Sequence, residues 1–214
     1  RIMSSRNLDN DVEDEVVKAL ASSVTSRFGE LSHRYYKIKS SWFKKEKLNW
    51  WDRNAPLPNS PIEKWSWKEA KDIVLNSFED FSPEISKIAK VFFDKNWIDA
   101  KIRSGKDSGA YSHPTVPSAH PYILMNYNGK SRDIMTLAHE LGHGVHQTLS
   151  AKNGYFLSDT PLTLAETASV FGEMLVFQNL LAKTKSKIGK KHLIAGKVED
   201  MLNTVVRQIA FHNF

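Results

Sequence analysis

The residues best placed to do chemistry are His139-Glu140-Leu141-Gly142-His143. Side chains four apart stack one turn above another on a helix. Two imidazoles so placed can reach one Zn²⁺ at roughly 2.0–2.1 Å. Glu140, about 100° further round the helix, sits beside the ion's position and within reach of an attacking water, where a general base is needed. The chain has no cysteine, so any metal here must be held by histidine and carboxylate. A catalytic zinc needs three protein ligands and one open place. Glu166, in Leu164-Ala-Glu-Thr-Ala-Ser169, is the preferred third ligand; Asp159 and Glu173 compete for the role. Glu173 lies seven residues after Glu166, on the same helical face, and is assigned as the acceptor of a ligand histidine N–H. His146 reads as a hydrogen-bonded neighbour, because a fourth protein ligand would close the site.

That constellation implies hydrolysis of an amide by a metal-activated water, with Glu140 taking the proton and passing it to the leaving amine. Gly109-Ala110-Tyr111-Ser112 is the preferred substrate-binding strand edge, with Gly109, Ala110 and Tyr111 meeting the peptide backbone. Tyr111, Tyr122, Tyr127 and His120 are candidate donors to a developing oxyanion.

The elements that must position these groups are mostly helices. Residues 131–150 and a long helix opened by Thr160-Pro161 and running to about 182 carry the ligands. Ser66-Trp-Lys-Glu69 has the capping-box pattern and starts a helix to about 79. Ser82-Pro83 opens another to about 96, buried through Ile85, Ile88, Ala89 and Phe92. Residues 10–44 are expected to be helical with a break at Gly29 and an apolar stripe Val12, Val16, Leu20, Val24; residues 47–62 are expected to be extended. Strands are expected at Ala110–Ser112 and Tyr122–Tyr127, and a last helix over 190–213. The expected fold is mainly α with a small antiparallel β-sheet. It forms one catalytic region over residues 1–214, helical in 1–100, strand-containing in 101–130 and zinc-binding in 131–214. The last helix ends at Phe214 without a capping residue, so the chain is expected to be one piece of a larger helical enzyme.

The chain carries 30 Lys and Arg against 24 Asp and Glu, a formal charge of +6. The basic clusters at 37–47 and 183–191 are broken by apolar and acidic residues, which argues for solvated faces and against nucleic acid. No apolar run is long enough to cross a membrane.

Several stretches together resemble the oligoendopeptidase F group of the thimet oligopeptidase family, which are gluzincin metallopeptidases. They are Ser108-Gly-Ala-Tyr-Ser112, His120-Pro-Tyr-Ile-Leu-Met-Asn-Tyr127 and Thr136-Leu-Ala-His-Glu-Leu-Gly-His-Gly144, with Leu164-Ala-Glu-Thr-Ala-Ser169 and Leu31-Ser-His-Arg-Tyr-Tyr36. The resemblance runs from about Asn7 to Phe214. It implies one Zn²⁺ on His139, His143 and Glu166, with Glu140 as base. It also implies a largely helical fold with a deep channel for short peptides, and a cytoplasmic role in peptide turnover. In the family a substrate-contacting loop with His and Tyr follows the last helix seen here, and a large N-terminal helical lobe precedes it. The alternative expectation is therefore a catalytically incomplete metal-binding piece that needs the remaining parts of the full-length enzyme.

Overall fold

The computed structural model describes residues 5–59 and 64–214 and divides the chain into two compact units, residues 1–61 with 184–214, and residues 62–183. Among the described residues no helix is long and apolar enough to cross a membrane.

The first unit holds α1 (Ser5–Asp9) and the long α2 (Asp14–Trp42), followed by a 3-10 turn at Trp50–Asp52. Its C-terminal part holds α7 (Lys187–Leu202), a π segment (Asn203–Arg207) and α8 (Gln208–Asn213). The expected break at Gly29 does not occur; α2 passes through it, since one glycine weakens a helix by only about 1 kcal/mol against alanine. Nor is the four-residue stripe the buried face. Val16 and Leu20 are exposed, and Val24 is buried with Ala21, Tyr35 and Lys39. A strict spacing of four drifts about 40° per step around a 3.6-residue helix, so such a stripe leaves any straight contact line. Lys39 is fully buried; its ammonium donates to Glu199 at 2.6 Å and to the Arg53 carbonyl at 2.7 Å, while the Tyr35 hydroxyl donates to the same Glu199 oxygen at 2.7 Å. Burial, and then that hydrogen bond, push the Tyr35 hydroxyl far above its ordinary range.

The second unit carries the predicted chemistry. It is built from α3 (Trp67–Phe81), α4 (Pro83–Asp94), three short strands, α5 (Ser131–Ser150) and α6 (Leu162–Lys183). The helix starts follow their sequence signals. The Glu69 amide donates to Ser66 Oγ, and the Glu69 carboxylate accepts from the Ser66 amide, satisfying two donors that open a helix. Ser82 caps α4 ahead of Pro83, and Asp133 ties the start of α5 to the preceding turn by accepting the amides of Asn128 and Lys130. The core joins Val74 and Phe78 of α3, Ala89 and Phe92 of α4, Ile134, Leu137, Ala138 and Leu141 of α5, and Val176 of α6, all buried.

The small sheet is β1 (Ile98–Asp99), β2 (Tyr111–His113) and β3 (Tyr122–Leu124), in the order β1-β3-β2. It is mixed and not purely antiparallel: β2 pairs antiparallel with β3, but β1 pairs parallel with it. The two-residue β1 carries no alternation that sequence could expose. It is held from outside by Lys106, whose buried ammonium donates to the carbonyls of Asp99, Lys101 and Met125 at 2.7–3.1 Å and to Asp99 Oδ1 at 3.1 Å. Asn126 adds bonds to the carbonyls of Asp107 and Gly109. The chain between β1 and β2 is thereby pinned to the central strand, and β2 is left as an edge.

Candidate metal centre

His139 and His143 sit on α5 one turn apart, their rings 5.0 Å between centroids. What brings α6 to them is the absence of side chains at the crossing. A methyl group added to Gly142 would lie 2.6 Å from the Ala168 carbonyl and 2.8 Å from Ser169 Cα; one added to Gly172 would lie 2.9 Å from the Ala138 carbonyl. Each glycine lets the backbone of the other helix come close, Gly142 against Ala168 and Ser169 and Gly172 against Ala138, and Glu166, about one turn before Ser169, reaches the imidazoles. Its Oε2 lies 3.3 Å from His139 Nε2 and 3.6 Å from His143 Nε2.

Among the described residues these three form the one group whose ligand atoms lie within 4.8 Å of one another in a set able to hold a metal. The spacing fits an ion. Two donors about 2.05 Å from a tetrahedral centre stand roughly 3.3 Å apart. Charge fits as well. Burial, aided by the charges of His139 and His146, outweighs Glu166 and lowers the His143 pKa, favouring the neutral ring that ligation needs. At His139 burial also pulls downward, but the Glu173 hydrogen bond and the carboxylates of Glu140, Glu166 and Glu173 overcome it and leave the pKa raised. The same negative surroundings favour a divalent cation.

Glu140 is buried beside the pair. Burial raises its carboxyl to about 7, with Glu166 adding to the effect and His139 and a backbone hydrogen bond from Ser112 opposing it. Glu173 stands behind His139, its Oε2 3.4 Å from Nδ1, the nitrogen facing away from Glu166. Asp159 and His146 line the cavity without joining the cluster.

The cavity has a volume of about 330 Å³; its walls include Ala110, Tyr111, His139, Glu140, His143 and Glu166. Ala110 and Tyr111 thus face the same space as His139, His143 and Glu166. Gly109 does not: it has φ +90° and turns the chain into β2, a backbone conformation that glycine adopts without strain. Tyr127 is drawn elsewhere, donating to the Trp65 carbonyl at 2.9 Å. His120 stacks on Trp97 with ring centroids 3.7 Å apart and lines a neighbouring cleft of about 640 Å³ with Tyr155 and Phe156.

Two contributors escaped the reading of the sequence. Gln147 extends the His139–His143 stripe by one more turn and bonds to Ser112 of β2. Ser169, fully buried, donates to Glu166 Oε2 at 2.8 Å. Gln147 stands four residues after His143 and Ser169 three after Glu166, and that helical spacing was the available signal.

Residues 3–214 match peptidase family M3. The chain belongs to that family. Among curated relatives, this M3 chain is 31% identical over 214 residues to an oligoendopeptidase F homologue of Borreliella burgdorferi, covering 99% of this chain and 36% of that one. It is 28% identical over 213 residues to oligopeptidase PepF of Bacillus subtilis, covering 99% and 31%. A Chlamydophila abortus crystal structure solved as a candidate peptidase superposes with a TM-score of 0.81 at 29% identity, over 99% of this chain and 36% of that chain. The fold is also that of PZ peptidase A with an inhibitor, at a TM-score of 0.77 and 21% identity, over 94% and 36%. The chain spans about a third of the length of the curated relatives it matches.

Proposed function

We propose that this M3 chain carries the catalytic centre of a zinc-dependent oligoendopeptidase that hydrolyses short peptides. The observation that carries the reading is the convergence of His139, His143 and Glu166 from two helices, with the buried Glu140 carboxyl beside them in one cavity. His139, His143 and Glu166 would hold one Zn²⁺, with Glu173 fixing the His139 tautomer. When bound, the ion supplies Lewis acidity, polarising the scissile carbonyl and acidifying a water.

Glu140 accepts a proton from the attacking water and delivers it to the departing amine. Its burial beside the histidines, on the wall of the same cavity, places the carboxyl to take that proton and to return it. The edge strand β2, with Ala110 and Tyr111 on the cavity wall, offers backbone groups that an extended peptide can pair with. Gly109 acts one residue away, by setting the turn into that edge.

The test is cleavage of a quenched peptide of about ten residues. Cleavage that is abolished by chelator, restored by Zn²⁺, and reduced about 10²–10⁴-fold by Glu140→Gln with zinc binding intact supports the proposal. Turnover that survives chelation sinks it. A second reading is favoured by the chain's span of about a third of its relatives: a metal-binding piece that turns over substrate only with the remaining parts of a full-length enzyme. Zinc binding without turnover, and activity on adding those parts, distinguishes it.

A further inference from the structure

Glu166 is the odd member of the cluster. The histidines are short side chains on a well-packed helix, whereas the Glu166 side chain is long and 47% exposed. Nothing in its length stops it from turning to solvent. One contact does. Ser169 lies one helical turn on, fully buried at the bare crossing of α5 and α6. Its Oγ stands 2.8 Å from Glu166 Oε2 and 3.1 Å from the Glu166 carbonyl. A serine hydroxyl has a single proton. Donated to the carbonyl, it would make the ordinary back-bond of a mid-helix serine; donated to Oε2, the shorter contact, it holds the carboxylate.

Oε2 is also the oxygen that faces both imidazoles, at 3.3 and 3.6 Å. A carboxylate oxygen has two lone-pair directions, so Ser169 can occupy one and leave the other for a metal.

We propose that Ser169 is a positioning residue: its buried hydroxyl clamps Glu166 Oε2 on the side of the two imidazoles, so that this oxygen is held where a metal ion would meet it. The inference rests on the metal-centre reading above. Because the hydroxyl is inside the helix crossing, it is shielded from competing water, and its geometry is set by backbone packing at Gly142. It does not touch the substrate side of the cavity.

The experiment titrates Zn²⁺, and separately Co²⁺, into the metal-free full chain, its Ser169→Ala variant and its Glu166→Gln variant, with thermal melts of each. Alanine is the better helix former and fits the serine space, so Ser169→Ala is expected to melt at or above the unsubstituted temperature. Its metal affinity is expected to fall about 10- to 100-fold. Its Co²⁺ visible band is expected to change in shape and intensity, as the released carboxylate meets the ion in a different geometry. A merely structural serine would change melting and affinity together and leave the band shape alone. Affinity within twofold of the unsubstituted chain with an unaltered band overturns the inference, while a strong loss in Glu166→Gln keeps the metal reading standing. If neither the unsubstituted chain nor Glu166→Gln binds metal, the metal reading falls and takes this inference with it.

Discussion

Gln147 and Ser112 exchange two hydrogen bonds: the serine hydroxyl donates to Gln147 Oε1 at 2.8 Å, and Gln147 Nε2 donates to the Ser112 carbonyl at 3.2 Å. Gln147 is one turn beyond His143, and Ser112 is the middle residue of the edge strand. Helix α5 thus grips the strand directly, and these two bonds tie the helix that bears the imidazoles to the Ala110–Tyr111 edge.

Replacing Gln147 by alanine removes both bonds and leaves the Ser112 groups without them. The expected cost is about 1–3 kcal/mol, read from urea unfolding. Zinc affinity should stay within about threefold, since both side-chain hydrogen bonds of Gln147 go to Ser112. A variant as stable as the parent would show that the latch is incidental.

Gly142→Ala tests the helix crossing. The added methyl would sit 2.6 Å from the Ala168 carbonyl, so α6 must shift. Overpacking of this kind costs about 1–3 kcal/mol. Because Glu166 moves with α6, zinc affinity should fall along with stability. Unchanged affinity would mean that the Glu166 position does not depend on this contact.

Glu173→Gln removes the carboxylate behind His139 but keeps a hydrogen-bonding side chain. Zinc binding is expected to weaken by about 10- to 100-fold, measured by competition with a chromophoric chelator. Full affinity in the variant would remove Glu173 from any account of the centre.

Asp99 gives a pH dependence. Hydrogen bonds from Arg103, and then from Lys106, outweigh partial burial and hold its carboxyl at about 2, below its ordinary 3.8. A depressed carboxyl contributes stability above its unfolded value. That contribution is lost as pH falls from about 4 towards 2. Protonation also leaves the buried Lys106 ammonium with carbonyl partners alone. Thermal melts between pH 5 and 2 should therefore fall less steeply for Asp99→Asn, which starts from a lower stability at pH 5. Parallel curves for the two proteins would rule the linkage out.

The helix starts at Ser66 and Ser82, the α5 span and the His139–Glu140–His143 triplet were legible because each depends on residues within one or two turns of one another. The preference for Glu166 over Asp159 rested on its apolar helical neighbours, yet Leu162, Leu164 and Glu166 itself are exposed; it is the path of α6 past the imidazoles, not burial, that brings the carboxylate to them. Other features depend on distant partners. Lys106 finds its carbonyls at residues 99, 101 and 125, and the two-residue β1 exists because β3 is there to receive it. Spacing within the chain carries no trace of either. The α2 stripe misled because periodicity states which residues share a face, not whether anything covers that face.

By itself, the sequence determined the donor types, the absence of thiol ligands, the one-turn separation of the two histidines and the caps that open the helices. These are local, and helical geometry converts spacing directly into direction. Only the tertiary structure decided that Oε2 of Glu166 meets both imidazoles, that Ser169 holds that oxygen, that Glu173 backs His139, and that β2 lies on the cavity wall. Those outcomes turn on how closely two helix backbones approach at Gly142 and Gly172, a distance set by packing in three dimensions.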